Sequence, residues 1–97
     1  MKRMSNLAKS QLQVGQKLHG HHGIYDLLKP LSSHQKNVWL GIDSAGRQVT
    51  VKTAPPTQFR NELKALKLFN GHASVRQLVD EIHDPPSLVL QYLDENL

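Results

Sequence analysis

The chain has 97 residues, 38% of them hydrophobic, with 12 basic and 8 acidic side chains and a formal charge of +4, which bounds it to one small domain with a modest core. It contains no cysteine, which excludes a disulfide framework, a thiolate metal centre and a cysteine nucleophile. No stretch approaches the ~18 apolar residues of a membrane span or the apolar centre of a signal peptide, so a cytoplasmic location is expected.

Residues 1–23 are polar, glycine-containing and basic, with Lys2, Arg3, Lys9 and Lys17 all preceding the first acidic residue, Asp26. They read as a disordered, solvated leader that leaves organellar targeting open. The leader ends in "HGHHG" (19–23), which groups His19, His21 and His22 with no carboxylate nearby in sequence. Zinc takes three or four ligands in fixed geometry, and a flexible glycine-flanked segment does not provide that, so no metal is expected there.

The domain proper is predicted over 24–97. "IYDLLK" (24–29) is a strand candidate that ends near Pro30, and "SSHQKN" (32–37) is a polar turn. "VWLGID" (38–43) sets Val38, Leu40 and Ile42 on one face by strand alternation. "DSAGR" turns the chain, with Gly46 suited to a positive φ, and "QVTVK" (48–52) returns as a third antiparallel strand. Pro55 and Pro56 end that strand, since proline cannot donate to the ladder. Thr57 is the expected helix N-cap and Asn70-Gly71 the expected stop. Between them Phe59, Leu63, Leu66 and Phe69 recur at helical spacing. "QLVDEIHD" and "SLVLQYL" then form two strands around a turn at Asp84-Pro85-Pro86-Ser87. The predicted fold is α+β, a five-stranded antiparallel sheet with one packed helix.

On the helical wheel Glu62 falls inside the apolar stripe, whereas Arg60, Lys64 and Lys67 lie on the opposite, wet side. A carboxylate aimed at a core needs a partner, and Lys52 ends the strand that feeds the helix. Two arrangements stay open from this geometry: a Lys52–Glu62 pair, or a Glu62 at the stripe's edge that reaches solvent. The helix lysines carry no interleaved aromatics, so nucleic-acid binding is not expected. Asp80, Glu81 and Asp84 read as surface charge around a turn, and His34, His72 and His83 as dispersed and peripheral.

"VTVK" (49–52), Glu62 ten residues on, and "HASVRQLVDEIHDPPSLVLQYLDENL" (72–97) together resemble the N-terminal lobe of the eukaryotic protein kinase family. The likeness is closest to the divergent kinase-like proteins common in fungi. It implies that Lys52 holds the α- and β-phosphates of ATP and that Glu62 fixes this lysine. It makes Leu90 the gatekeeper and Gln91 to Leu93 the adenine-binding hinge, with Val38 and Thr50 lining the same cleft.

Three departures from the family pattern shape what is expected. "LSSHQKNV" (31–38) has no glycine to let backbone N–H groups approach phosphates. Thr50 replaces the usual alanine, and Lys52 and Glu62 are unusually close in sequence. No H-R-D or D-F-G motif occurs, so weak ATP binding and no phosphoryl transfer are expected of this chain alone, with Mg²⁺ bound only if a second lobe supplies its ligands. The resemblance also implies a cleft face with nothing beneath it at Val38, Thr50, Leu90, Tyr92 and Leu93. A protein partner, a kinase C-terminal lobe or a second copy would cover it. A pseudokinase-like interaction module is therefore the alternative reading.

Overall fold

The computed structural model describes residues 12–31, 37–69 and 77–92. Strands β1 (Lys17–His19), β2 (Ile24–Pro30), β3 (Val38–Ile42) and β4 (Gln48–Thr53) precede helix α1 (Pro56–Leu68), and β5 (Leu78–His83) and β6 (Pro86–Gln91) follow it. All neighbouring strands pair antiparallel, in the order β1-β2-β3-β4-β6-β5. The α+β class holds, but among the described residues the sheet has six strands where the sequence predicts five.

The extra strand is β1, which lies inside the segment predicted to be a disordered leader. Three residues cannot form a strand alone; β1 exists by pairing with β2 in the register Lys17↔Asp26, Leu18↔Tyr25, His19↔Ile24. Leu18 is buried, and Lys17 Nζ meets Asp26 Oδ1 at 2.8 Å. The predicted leader therefore enters the fold by residue 17, and residues 1–11 of it lie outside the described residues.

The sheet curls until its two edges meet. Gly20, just past β1, bridges Ile82 of β5, and the His21 N–H donates to the Glu81 carbonyl at 3.3 Å. Every strand sends a side chain into one interior: Leu18, Tyr25, Leu27, Trp39, Val49, Val51, Ile82 and Val89 form a single buried cluster. This closure as a small barrel covers strand edges that would otherwise be exposed to other chains.

Local chemistry fixes the connections. At the β3–β4 hairpin the Asp43 carboxylate accepts from the N–H groups of Ala45 (3.0 Å) and Arg47 (2.8 Å), while Gly46 takes φ +85°. The Arg47 N–H above all holds the Asp43 carboxyl below its ordinary range. Helix α1 starts earlier than predicted. Its cap residue is Pro55, with Pro56 in the first helical position and no side-chain cap, so Thr57 lies within the helix. Proline's fixed φ pre-forms that first turn and makes a hydroxyl cap dispensable.

The outer sheet face carries the helix. Phe59, Ala54, Leu88 and Leu90 form a second buried cluster, with Leu63, Leu66 and Leu78 packed against it. Phe69, predicted to share this stripe, is the residue that ends the helix and is half exposed. The backbone leaves the helical path there (φ -107°, ψ 18°), and the ring leaves the packed face with it.

Candidate functional site

Strand alternation sends Val49 and Val51 inward and Thr50 and Lys52 outward, onto the helix-bearing face. The register sets two rows across this face. One row is Val38, Lys52, Leu88 and Glu81; the other is Leu40, Thr50, Leu90 and Leu78. Lys52 reaches from β4 to α1, its Nζ 3.2 Å from Glu62 Oε1 and 3.4 Å from Oε2. Of the two arrangements open from the sequence, the paired one is formed.

Glu62 is held from a second side, since Gln58 Nε2 donates to its Oε2 at 3.0 Å. Burial pushes the Glu62 carboxyl up, but the hydrogen bonds from Gln58 and Lys52 and the lysine's charge outweigh it and leave it below its ordinary value. Both partners are about a third exposed, 33% and 28%, so water screens the pair and its worth to stability is at most about 1 kcal/mol. A double-mutant cycle of Lys52→Ala and Glu62→Ala by chemical denaturation is expected to give a coupling of about 0.5–1 kcal/mol. A coupling of zero would mean that the pair adds nothing to stability in solution.

The other residues expected in the cleft are distributed as follows. Val38 sits directly opposite Lys52 and is partly buried. Thr50 and Leu90 face each other across β4 and β6 and are only 1% and 8% exposed. The bare roof expected at these two positions is thus closed, and Leu90 belongs to the cluster beneath the helix. Gln91 ends β6 exposed, its N–H donating to the Gln77 carbonyl at 2.9 Å, and Tyr92 is partly buried. Leu93 lies outside the described residues.

Thr50 carries an oddity: among the described residues its buried Oγ1 finds no hydrogen-bond partner. A buried polar group left unpaired costs about 1–3 kcal/mol. Thr50→Val, which removes the hydroxyl and keeps the branched shape, is therefore expected to be neutral or to stabilise by up to about 1–2 kcal/mol in denaturant unfolding. A loss of stability would show that the hydroxyl has a partner in solution.

The second notable site lies at the barrel seam, among residues that look unrelated in sequence. Asp80, expected on the surface, is 2% exposed. Strand alternation sets Asp80 on the same inward face as Ile82, and the bulge between Leu78 and Asp80 leaves Leu78 on the outer, helix-bearing face. Its carboxylate accepts from the Tyr25 hydroxyl (2.7 Å), His22 N–H (2.8 Å), His21 N–H (3.0 Å) and its neighbour Glu81 N–H (2.7 Å). Burial by itself pushes this carboxyl up, but the bond from Tyr25 and those from His22, Glu81 and His21 outweigh it and hold it below its ordinary range. Burial, together with the hydrogen bond to Asp80, pushes the Tyr25 phenol well above its ordinary value. Gly20 is required here, because a Cβ would stand 2.8 Å from Asp80 Cγ and closer still to Oδ2.

This anchored loop carries His21 to His83, with the two Nε2 atoms 3.0 Å apart and ring centroids at 4.9 Å. Glu81 Oε1 lies 3.8 Å from His83 Nε2, and Lys67 of α1 binds the other oxygen, Oε2, at 3.1 Å. Lys67, expected on the solvated face beside Arg60 and Lys64, is therefore engaged. The "HGHHG" motif was visible in sequence, but its partners stand about sixty residues away and only barrel closure brings them together. Among known proteins, no family model, no curated protein and no solved structure matches this chain.

Proposed function

We propose that the chain is a protein-kinase-like nucleotide-facing lobe that holds an adenine nucleotide weakly on the Lys52 side of its sheet. The observation that carries this reading is the Lys52–Glu62 ion pair at 3.2 Å. In protein kinases a strand lysine drawn to a helix glutamate is the arrangement that presents the lysine to the ATP phosphates. Val38, Thr50 and Leu90, which the resemblance sets around the adenine, occupy the two rows that contain or adjoin Lys52.

Weak affinity follows from two features. Residues 31–38 offer no glycine for a close backbone approach to phosphate. A purine must also uncover Thr50 and Leu90, which are buried. Phosphoryl transfer is outside the proposal, since it needs a catalytic aspartate and Mg²⁺ ligands that a second lobe would supply.

The test is an NMR titration with ADP and ATP, with and without Mg²⁺. Shifts centred on Lys52, Thr50 and Leu90, fitting a dissociation constant of roughly 1 mM and lost in Lys52→Ala, are expected. Shifts that persist unchanged in Lys52→Ala, or none at about 10 mM nucleotide, would remove the nucleotide reading.

A protein-interaction module is the second reading, and one observation favours it. Leu68 and Phe69, at the end of α1, are 67% and 51% exposed. Adjacent large apolar side chains on a surface fit an apolar partner or a second copy. Sedimentation should then show association that Leu68→Lys abolishes; a monomer at all concentrations, with no effect of the substitution, would count against self-association.

A further inference from the structure

We infer that the barrel seam is a divalent metal site, of the nitrogen- and oxygen-ligated kind that suits Zn²⁺, with His21 Nε2, His83 Nε2 and Glu81 Oε1 as ligands. The three side chains each offer a ligand atom, and these atoms all lie within 4.8 Å of one another. In a tetrahedral site with Zn–N bonds of about 2.05 Å, ligand atoms stand about 3.3 Å apart. The observed 3.0 Å between the two imidazole nitrogens and 3.8 Å from His83 to Glu81 bracket that spacing.

The surroundings supply what a ligand set requires beyond the ligands. Zinc sites depend on neighbours that orient the first ring of side chains. Asp80 fixes the backbone that carries His21, and is itself fixed by Tyr25. Lys67 holds Glu81 Oε2 at 3.1 Å and leaves Oε1 turned to the histidines. Phe59 packs edge-on against the His83 ring, with centroids at 6.3 Å. His83 and His21 also border a pocket of about 510 Å³ lined with Gln16, Lys17 and Asp84. Three protein ligands leave a fourth position for water or an incoming group, as in sites where zinc acts on a ligand.

Neither strand β5 nor the β1–β2 loop binds such an ion alone. The ion would join the two edges of the barrel, so binding adds directly to the stability of closure.

The experiment is calorimetric titration of the full chain with ZnCl₂, paired with thermal unfolding. One Zn²⁺ per chain at low-micromolar affinity or tighter is expected, with a rise in melting temperature. His83→Ala and His21→Ala should each weaken binding at least tenfold, whereas His22→Ala and His19→Ala should leave it unchanged. The His21 substitution keeps the N–H that Asp80 accepts, so the loop anchor survives it, and the circular dichroism of each variant checks the fold. Wild-type affinity retained in the His21 or the His83 variant, or binding lost only with His19 or His22, would overturn the assignment. So would no heat of binding from a folded wild-type chain at millimolar zinc.

Discussion

Asp80→Ala is expected to cost about 3–5 kcal/mol in denaturant unfolding, a large share of the 5–15 kcal/mol typical of a domain. The substitution strands the Tyr25 hydroxyl and the N–H groups of His22 and Glu81, and leaves the His21 N–H only its longer bond to the Glu81 carbonyl. Tyr25→Phe removes a single charge-assisted bond and should cost about 2 kcal/mol. Gly20→Ala gives the more discriminating result. In the wild type its Cβ collides with the Asp80 side chain. In an Asp80→Ala background that obstacle is gone, so the second substitution should cost little and the pair should be strongly non-additive. Amide exchange at His21 and His22 should accelerate in both single variants, because the seam is what they open. Additive costs, or unchanged exchange at these two amides, would show that Asp80 does not latch the barrel.

The same carboxylate predicts an acid limb. Its folded value lies below the ordinary 3.8, so its stabilising effect is complete above the unfolded value and is lost as pH falls through the folded one. With a chelator present to exclude metal, wild-type stability should therefore fall below about pH 4 more steeply than that of Asp80→Asn. Parallel curves would contradict the role given to the charge.

What could be read from the sequence, and what could not, divides along local and non-local lines. The alternation of Val38, Leu40 and Ile42, and the spacing of Phe59, Leu63 and Leu66, depend on the pleat and the helical turn themselves. They place β3 and α1 within a residue or two. The Lys52–Glu62 pair was only half legible: the helical wheel leaves both a pair and a solvent-reaching Glu62 open, the kinase resemblance favours the pair, and the pair is what forms. β1 was not legible: "KLH" has no period to detect, and becomes a strand only against Asp26, Tyr25 and Ile24. Asp80 misleads for a related reason. In "VDEIHD" it stands among charges, and its burial depends on a donor loop about sixty residues earlier. Its one local signal is its place two residues before Ile82, whose side chain is fully buried. A charged residue in phase with a core residue, in a chain that also carries a polar glycine loop, points to a buried anchor.

Leu88→Ala is expected to cost about 2–5 kcal/mol and to free the helix from the sheet. Leu88 is fully buried and stands between Lys52 and Glu81 in one row across β4, β6 and β5. Each flanking residue meets α1: Lys52 binds Glu62 and Lys67 binds Glu81. Glu62 and Lys67 are five residues apart, a rise of about 7.5 Å, and two strand spacings span about 9.6 Å. The helix is therefore tied to β4 on one side of the leucine and to β5 on the other, by one ion pair each. Those pairs set its direction more than they hold it. All four charged groups are at least a fifth exposed, so each pair contributes at most about 1 kcal/mol and less in high salt. Losing the buried leucine removes transfer free energy and leaves a cavity under Phe59 and Leu90. Two measurements separate the contributions. Raising NaCl to about 1 M should cost the wild type less than Leu88→Ala costs at low salt. Under the proposed nucleotide reading, Leu88→Ala should also abolish the shift at Lys52 although it leaves the lysine in place, because Glu62 no longer stands where it can hold it. A helix that stays docked in Leu88→Ala but is released by salt would reverse the assignment and make the charges its principal anchor.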